Sequence, residues 1–368
     1  MRIILTGGGT MGHVTPAIAI AEEIRLTLPQ AKILFVGRTG GKENSIITKK
    51  GFDIATVDIE GLSRKRILEN FNKIGKALSA FRSAKKIIKD FCPDVVLGTG
   101  GYVSWPVIFA AQKMNIPTAI HESNATPGIT TRLLAGGCDK IFLSNEKAKE
   151  KISHPDKTLT VGTPVLREFL VASREKSRKE FGLTEDEIFI VSFGGSGGAE
   201  RINETVLEVI SKHSSKQKKV RHLHATGRKY YEAIREKISQ YEKKGCKIIP
   251  FIENMPTALS AADIVICRSG ALTLAEISAV GVASILIPSP NVTGNHQLIN
   301  AQSYSRVNAA VIIEEKSLTA EELIRQLITL ENDKFDRKNK AKNSKMFMTQ
   351  NSAKIILKEL ISLKKCPK

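Results

Sequence analysis

The chain has 368 residues, 42% of them hydrophobic and 25% charged, with a formal net charge of +19. This length predicts two domains with a core each, and the apolar share excludes a disordered chain. No apolar run reaches the roughly 18 residues of a membrane span, so the basic excess points to a lysine-rich solvated surface or to an anionic partner: nucleic acid, anionic lipid or phosphorylated substrate.

Aromatic residues make up only 5% of the chain and are not interleaved with basic ones as in single-strand binders, so no nucleic-acid partner is expected. Cys92, Cys138, Cys246, Cys267 and Cys366 are odd in number and lack C-x-x-C spacing. That pattern predicts reduced cytosolic thiols and neither a disulfide framework nor a zinc site. The first strand begins directly after Met1-Arg2, which predicts no signal peptide.

Ile3-Ile4-Leu5-Thr6 reads as a strand feeding the turn Gly7-Gly8-Gly9-Thr10-Met11-Gly12-His13 and then a helix. Gly7, Gly9 and Gly12 fit G-x-G-x-x-G in the strand–turn–helix context that motif needs, where glycine admits a close backbone approach and the helix N-terminus attracts an anion. A second strand, residues 32–36, ends at Gly37-Arg38, where a dinucleotide site using NAD wants an acidic residue; NAD is not expected, while this strand alone leaves NADP open. Residues 52–59 form a third strand. The basic segment 63–91 carries Arg64, Lys65, Arg66, Lys73 and Lys76 among Leu68, Phe71, Ile74, Leu78, Phe81 and Ile88. Ile74, Leu78, Phe81 and Ile88 recur at helical spacing and are expected to face the core. Leu68 and Phe71 with the surrounding cations are either the outer face of a covering helix or an apolar patch that rests on anionic lipid. A strand at 94–98 leads to Thr99-Gly100-Gly101-Tyr102-Val103-Ser104, another glycine-bearing turn. A strand at 118–120 is followed by His121-Glu122-Ser123-Asn124, just past a strand end, where open α/β sheets place ligands. Strands at 140–144 and 159–161 close the first half, and Gly162-Thr163-Pro164 marks the boundary.

The second half restarts the pattern. Glu185-Asp186-Glu187 reads as a solvated turn before a strand at 188–193. The second glycine loop, Gly194-Gly195-Ser196-Gly197-Gly198-Ala199, then opens a helix. Strands follow at 220–225, 247–251 and 264–267. Ser269 is expected to cap the helix that starts at Ala271. After a strand at 284–288 come a polar loop, 291–297, a helix from Asn300 and a last helix over 344–364. The expected fold class is α/β: two doubly wound domains facing a cleft, residues 1–163 and 164–343, with the helix of 344–368 packing back toward the first.

The succession Gly8-Gly9-Thr10-Met11-Gly12-His13, Gly100-Gly101-Tyr102-Val103-Ser104, His121-Glu122-Ser123-Asn124, Gly194 to Ala199, Arg268-Ser269-Gly270-Ala271-Leu272-Thr273 through Glu276, and Gln297 with Asn300-Ala301 resembles the GT-B glycosyltransferases. Within them it resembles the bacterial family that adds N-acetylglucosamine to lipid I to make lipid II. The resemblance covers nearly the whole chain. It implies a role in peptidoglycan synthesis, and so in cell shape and division, at the cytoplasmic face of the cell membrane. The implied partners are UDP-N-acetylglucosamine, the undecaprenyl-diphosphate-linked acceptor and an anionic membrane surface. Thr10, Met11, Gly12 and Asn124 are implied to meet the donor sugar, Ser196 the diphosphate, and Ile252 the uracil through its backbone. Ala271, Leu272, Thr273, Leu274, Ala275 and Glu276 are implied to meet the diphosphate and ribose, and Gln297 the sugar hydroxyls. The family's donor-binding arginine follows Gly-Asn-Pro-Val directly; here Gly162-Thr163-Pro164-Val165 is followed by Leu166 and only then Arg167. Met11, Trp105 and His296 also depart from the commoner residues.

Transfer from a UDP-sugar needs charge stabilisation at the leaving diphosphate, from Mg²⁺ or from helix N-termini and hydroxyls. The chain has no Asp-x-Asp, which favours the metal-free route and no cofactor. His13, at a helix N-terminus, is the first candidate for the base that activates the acceptor, or else a structural histidine. Glu122 and His121 are lesser candidates. Two other readings stand beside the transferase: a UDP-sugar 2-epimerase of the same architecture, and a non-catalytic nucleotide-sugar-binding subunit.

Overall fold

A computed structural model describes residues 1–61, 70–242, 245–349 and 351–364. The chain divides into two compact units, Met1–Leu166 with Thr349–Lys368, and Arg167–Met348.

The first unit is built on a seven-stranded parallel sheet in the order β3-β2-β1-β4-β5-β6-β7. Its strands are β1 (Arg2–Thr6), β2 (Lys32–Arg38), β3 (Asp53–Val57), β4 (Val95–Gly98), β5 (Thr118–Glu122), β6 (Lys140–Leu143) and β7 (Thr158–Thr160). Central strands are apolar along their buried middles, Ile3 to Leu5 in β1 and Val95 to Leu97 in β4, because helices cover both faces. Ile3 and Leu5 face one core with Ile18, Phe142, Ile356 and Leu360. Ile4 and Val96 face the other with Val107, Ile108, Ala84 and Ile88.

The second unit repeats the plan with six parallel strands in the order β10-β9-β8-β11-β12-β13. These are β8 (Ile188–Phe193), β9 (Val220–Ala225), β10 (Cys246–Ile249), β11 (Ile264–Cys267), β12 (Ala283–Leu286) and β13 (Ala310–Ile312). Ile190, Ile264, Ile266 and Ile285 pack under Ile202, Val206 and Ile210 of the Glu200–Lys212 helix and Leu323 and Leu327 of the Ala320–Asn332 helix. In this core β8 and β9 carry polar side chains. The Ser192 hydroxyl lies 2.8 Å from both His222 Nε2 and His224 Nδ1. Burial pulls the two imidazoles down, to about 3 and about 4.

In each sheet the strand order reverses beside the first strand of the unit, between β1 and β4 and between β8 and β11. Such reversals leave a crevice above the carboxyl ends of the strands. Both glycine loops of the sequence fall there.

Several elements differ from the sequence reading. The final helix is Ser352–Leu363, not 344–364; Lys334–Ser344 is a separate helix, and Asn351 in the left-handed region (φ 72°) reverses the chain ahead of the last one. That last helix belongs to the first unit, where Ile356, Leu357 and Leu360 pack against the Met11–Thr27 helix. On the Asn70–Phe91 helix the buried row is Ala80, Ala84 and Ile88, three small or slim residues four apart, whereas Leu78 is 52% exposed. Ile74 and Phe71 have side chains outside the described residues, as do Arg64, Lys65, Arg66 and Leu68 altogether. Strand β5 runs on through His121 and Glu122, so these two residues belong to the sheet itself. Glu185–Glu187 is a polar turn, with Asp186 held near 2 by hydrogen bonds from Lys219 and Thr184.

Candidate active site

In the first unit, β1 ends at Thr6 and the chain turns through three glycines into the Met11–Thr27 helix. The turn is held from β4. Thr99 donates its hydroxyl to the His13 carbonyl at 2.7 Å, and Ser104 donates to the carbonyls of Gly100 at 2.8 Å and Thr6 at 3.1 Å. Gly101 has φ 80°, and a side chain there would run into the Gly8 carbonyl, so this position requires glycine. The His13 ring lies against Gly100 and Gly101. Its Nδ1 sits 3.2 Å from the Gly8 carbonyl and 3.2 Å from Thr10 Oγ1. A carbonyl only accepts, so Nδ1 carries the proton and Nε2 of the neutral ring carries the lone pair. Thr10 precedes the helix with extended φ/ψ and makes no side-chain cap; its carbonyl takes the His13 amide at 3.1 Å, which leaves the amides of Met11 and Gly12 open.

Two further side chains shape this turn: Glu43, which no sequence motif marks, and Tyr102 of the Gly100–Ser104 motif. Glu43 accepts the Gly9 amide hydrogen at 2.9 Å. The Tyr102 ring packs on Gly9 and Gly61, and Arg38 donates to its hydroxyl at 3.3 Å. Glu43 stands alone in a polar stretch, and nothing in its spacing marks it.

At the neighbouring strand end, His121 is buried, with Nε2 within 3.0 Å of the Gly162 carbonyl and 3.1 Å of Ser144 Oγ. Burial lowers its basicity, with the nearby His13 acting in the same direction. An enclosed imidazole of this kind is a structural element, not a base open to substrate. Glu122 is also buried, and both its oxygens accept hydrogen bonds: Oε1 from Asn124 N at 2.9 Å and Nδ2 at 3.0 Å, Oε2 from Gly128 N at 2.9 Å and Thr131 Oγ1 at 2.7 Å. Thr10, Met11, Gly12, His13, Glu122 and Asn124 thus gather along one sheet edge.

In the second unit the Gly194–Gly198 turn follows β8. Gly198 (φ 77°) has no room for a side chain against the Thr226 carbonyl, and Ser196 is exposed at the tip. Next to it β11 ends at Cys267, and the Ala271–Val280 helix begins after Gly270. The cap is Gly270, without a side-chain bond, and not Ser269, whose buried hydroxyl donates to the Gln297 carbonyl at 2.8 Å. The helix start from Ala271 to Thr273 is therefore uncapped, and an uncapped start offers its amides and positive dipole end to an anion.

Glu276 lies one turn further along the same helix. Burial pushes its carboxyl up to about 8; burial also raises the Cys267 thiol, and Glu276 adds to that rise. No hydrogen bond reaches the Glu276 carboxylate among the described residues. Gln297 sits in the first turn of the His296–Arg306 helix, which starts earlier than the expected Asn300 because Gly294 (φ 61°) and Asn295 (φ 51°) reverse the chain just before it. Its Oε1 accepts from Ser289 N at 2.9 Å, while Asn300 Nδ2 donates to the Ser269 carbonyl at 3.2 Å. These bonds tie the helix start at Ala271 to the chain after β12. Arg268 supports the same junction by donating to the carbonyls of Ile287 and Pro288 and pairing with Glu315. Ile252 is buried beyond β10, at the edge of the sheet. Arg167 is exposed at the first turn of the Arg167–Val171 helix, which packs on the Ala271–Val280 helix.

Two doubly wound parallel sheets, each with a glycine turn and an uncapped helix start at its point of reversal, define the GT-B class. The chain matches the glycosyltransferase family 28 N-terminal domain over residues 3–143 and the family 28 C-terminal domain over residues 189–359. It belongs to this family. It is 40% identical over 356 residues, 97% of this chain and 96% of the relative, to the UDP-N-acetylglucosamine–N-acetylmuramyl-(pentapeptide) pyrophosphoryl-undecaprenol N-acetylglucosamine transferase of Acetivibrio thermocellus. The crystal structure of Acinetobacter baumannii MurG superposes with a TM-score of 0.73 at 25% identity, covering 98% of this chain and 99% of that one. The UDP-GlcNAc 2-epimerase of Neisseria meningitidis bound to UDP-GlcNAc shares the fold, with a TM-score of 0.68 at 15% identity over 98% of this chain and 100% of its own.

Proposed function

We propose that this protein is an inverting glycosyltransferase that moves N-acetylglucosamine from UDP-N-acetylglucosamine to the muramoyl sugar of undecaprenyl-diphosphate-linked lipid I, forming lipid II for peptidoglycan synthesis. The observation that carries this reading is the 40% identity, over 97% of the chain, to a curated relative named for that transfer. The epimerase likeness reaches only the fold.

The acceptor hydroxyl attacks the anomeric carbon of the donor sugar. A glycosidic C–O bond forms as the bond to the diphosphate oxygen breaks, UDP leaves, and the hydroxyl proton passes to His13 Nε2. Displacement from the face opposite the leaving group inverts the anomeric centre. Charge gathering on the diphosphate is met by the amides of Ala271, Leu272 and Thr273 and by Ser196. Glu276 takes the ribose hydroxyls, and Ile252 offers its backbone to the uracil. Gln297, its Oε1 engaged, donates from Nε2 to a sugar hydroxyl. Thr10, Met11, Gly12 and Asn124 border the sugar, and Arg167 completes the donor side. Residues 1–163 form the acceptor and membrane side, with Thr10 to Gly12 and Asn124 meeting the donor sugar, and residues 164–343 hold the donor nucleotide.

No helix among the described residues is long and apolar enough to cross a membrane. On this reading the lipid-borne acceptor is met by docking on the cytoplasmic face of the membrane. The first unit supports such docking with Leu78, 52% exposed, and Ile129 and Leu133, 50% and 69% exposed, on helices that flank the Ser104–Lys113 helix. Between them Trp105 stacks on Phe109 and Phe81 tilts against it, with Lys85 and Lys113 over the rings. Apolar side chains ringed by cations match an anionic headgroup layer. The reading is tested by incubating the protein with labelled UDP-N-acetylglucosamine, with and without a lipid I analogue: labelled disaccharide supports it, and an epimerised sugar from donor alone contradicts it.

A further inference from the structure

We propose that Glu122 is a positioning residue for sugar recognition: it clamps Asn124 so that the side-chain oxygen of that asparagine, and not its amide nitrogen, faces the bound sugar. The inference rests on the transfer reading above. Glu122 closes β5, is 5% exposed, and accepts four hydrogen bonds at 2.7–3.0 Å, two of them from Asn124. An ionised carboxylate offers acceptors only, so the atom of the Asn124 amide turned toward it must be Nδ2. Rotating the amide by half a turn would set Oδ1 against Oε1, two acceptors with no proton between them. Asn124 itself is half-buried, and no hydrogen bond reaches its Oδ1 among the described residues.

Asn124 Oδ1 is thus an acceptor with a fixed direction, and it selects a donor: a sugar hydroxyl or the N–H of an acetamido group. Because the amide is already locked, binding does not pay again for ordering that side chain. The other carboxylate oxygen takes Gly128 N and Thr131 Oγ1, so a single side chain pins both ends of the 124–128 loop. With four donors on its oxygens, Glu122 is suited to orientation and not to taking a proton from an acceptor.

The test uses the full-length chain as parent, Glu122→Gln, Asn124→Ala and the double variant. Three quantities are read: kcat, KM for UDP-N-acetylglucosamine, and the inhibition constant of UDP, which lacks the sugar. Loss of one well-placed hydrogen bond should raise the donor KM about tenfold in each single variant while the UDP constant stays within about twofold. The double variant should be no worse than Asn124→Ala alone, because Glu122 acts through Asn124. Additive effects, a UDP constant that rises in step with KM, or an unchanged donor KM in Asn124→Ala would each overturn the proposal. Should Glu122→Gln fail to fold, Thr131→Val removes a single donor to Oε2. It should raise the same KM by a smaller factor, and a fall in kcat with KM unchanged would overturn the clamp. Failure of the transfer reading would show separately, as absence of transfer by the parent; calorimetric affinities for UDP-N-acetylglucosamine and UDP across the same variants then decide the clamp.

Discussion

His13 Nδ1 lies 3.2 Å from the carbonyl oxygen of Gly8, so the glycine turn fixes the tautomer of the ring that it holds. The proton sits on Nδ1 and the basic lone pair on Nε2. General-base catalysis supplies roughly 10²–10⁴-fold. His13→Ala should therefore lower kcat by about that factor, with UDP affinity unchanged. His13→Asn retains a side-chain N–H for the Gly8 carbonyl but has no basic nitrogen, so it should fold like the parent and be as slow as the alanine variant. A fast asparagine variant would reduce His13 to a holder of the turn.

Glu276 predicts a pH dependence of donor binding. Its carboxyl is raised to about 8 by burial. Ribose hydroxyls donate to the ionised form, so binding releases a proton wherever the free group is protonated. UDP affinity should climb as the pH rises toward 8 and level off above it, and Glu276→Gln should lose this rise and bind more weakly throughout. Stability runs the other way. A carboxyl whose folded value exceeds its ordinary one favours the fold at low pH, and this contribution is lost as the pH rises through 8. Glu276→Gln should thus melt higher than the parent at pH 9. Calorimetric titration and thermal melts at pH 6, 7, 8 and 9 measure both, and a parent affinity flat over that range contradicts the assignment.

The buried pair His222 and His224 predicts acid sensitivity of the second unit. Their folded values, about 3 and about 4, lie below the ordinary 6.5. The unfolded chain therefore takes up protons first, and the stability present above pH 6.5 is lost as the pH falls toward 4. Each imidazole contributes at most about 1.4 kcal/mol per pH unit. Urea unfolding between pH 7 and pH 4.5 should show this slope, and His224→Gln should reduce it by about one proton. An unchanged slope in that variant would mean that His224 is already protonated in the folded state.

Docking through the first unit predicts that membrane and soluble acceptors part company. Changing Arg64, Lys65 and Arg66 together to Glu removes cations worth about 1 kcal/mol each near an anionic surface. Co-sedimentation with anionic vesicles and turnover of a lipid-embedded acceptor should fall, more so at low salt, while a short-chain acceptor in solution is turned over nearly as before. Leu78→Ser with Leu133→Ser should weaken vesicle binding at all salt concentrations. Parent-like vesicle binding by both variants would place docking elsewhere.

Much of the fold was legible because parallel strands buried on both faces announce themselves as apolar runs, and because the turns at the sheet reversals need glycine. The runs around Ile4, Val96, Ile190 and Val265 and the two glycine loops were sufficient for a doubly wound fold in each half. Helix starts were less legible. Ser269 has the chemistry of a cap, yet its hydroxyl finds the Gln297 carbonyl first, a partner 28 residues away that no local pattern reveals. The start at His296 depends on two left-handed residues, Gly294 and Asn295. Leu78 looked like core because periodicity cannot separate an apolar residue facing the sheet from one facing outward. Glu43 and the clamp made by Glu122 were invisible for a related reason: what a carboxylate does depends on which amides the fold brings to it.

Group transfer to a lipid-linked sugar is measured by a chase of radiolabelled N-acetylglucosamine from UDP to a lipid I analogue, run with and without EDTA. A labelled lipid disaccharide with inverted anomeric configuration should form, at the same rate in chelator, because helix amides and hydroxyls carry the diphosphate charge. Label that stays on UDP, or transfer that stops in EDTA and returns with Mg²⁺, would contradict it.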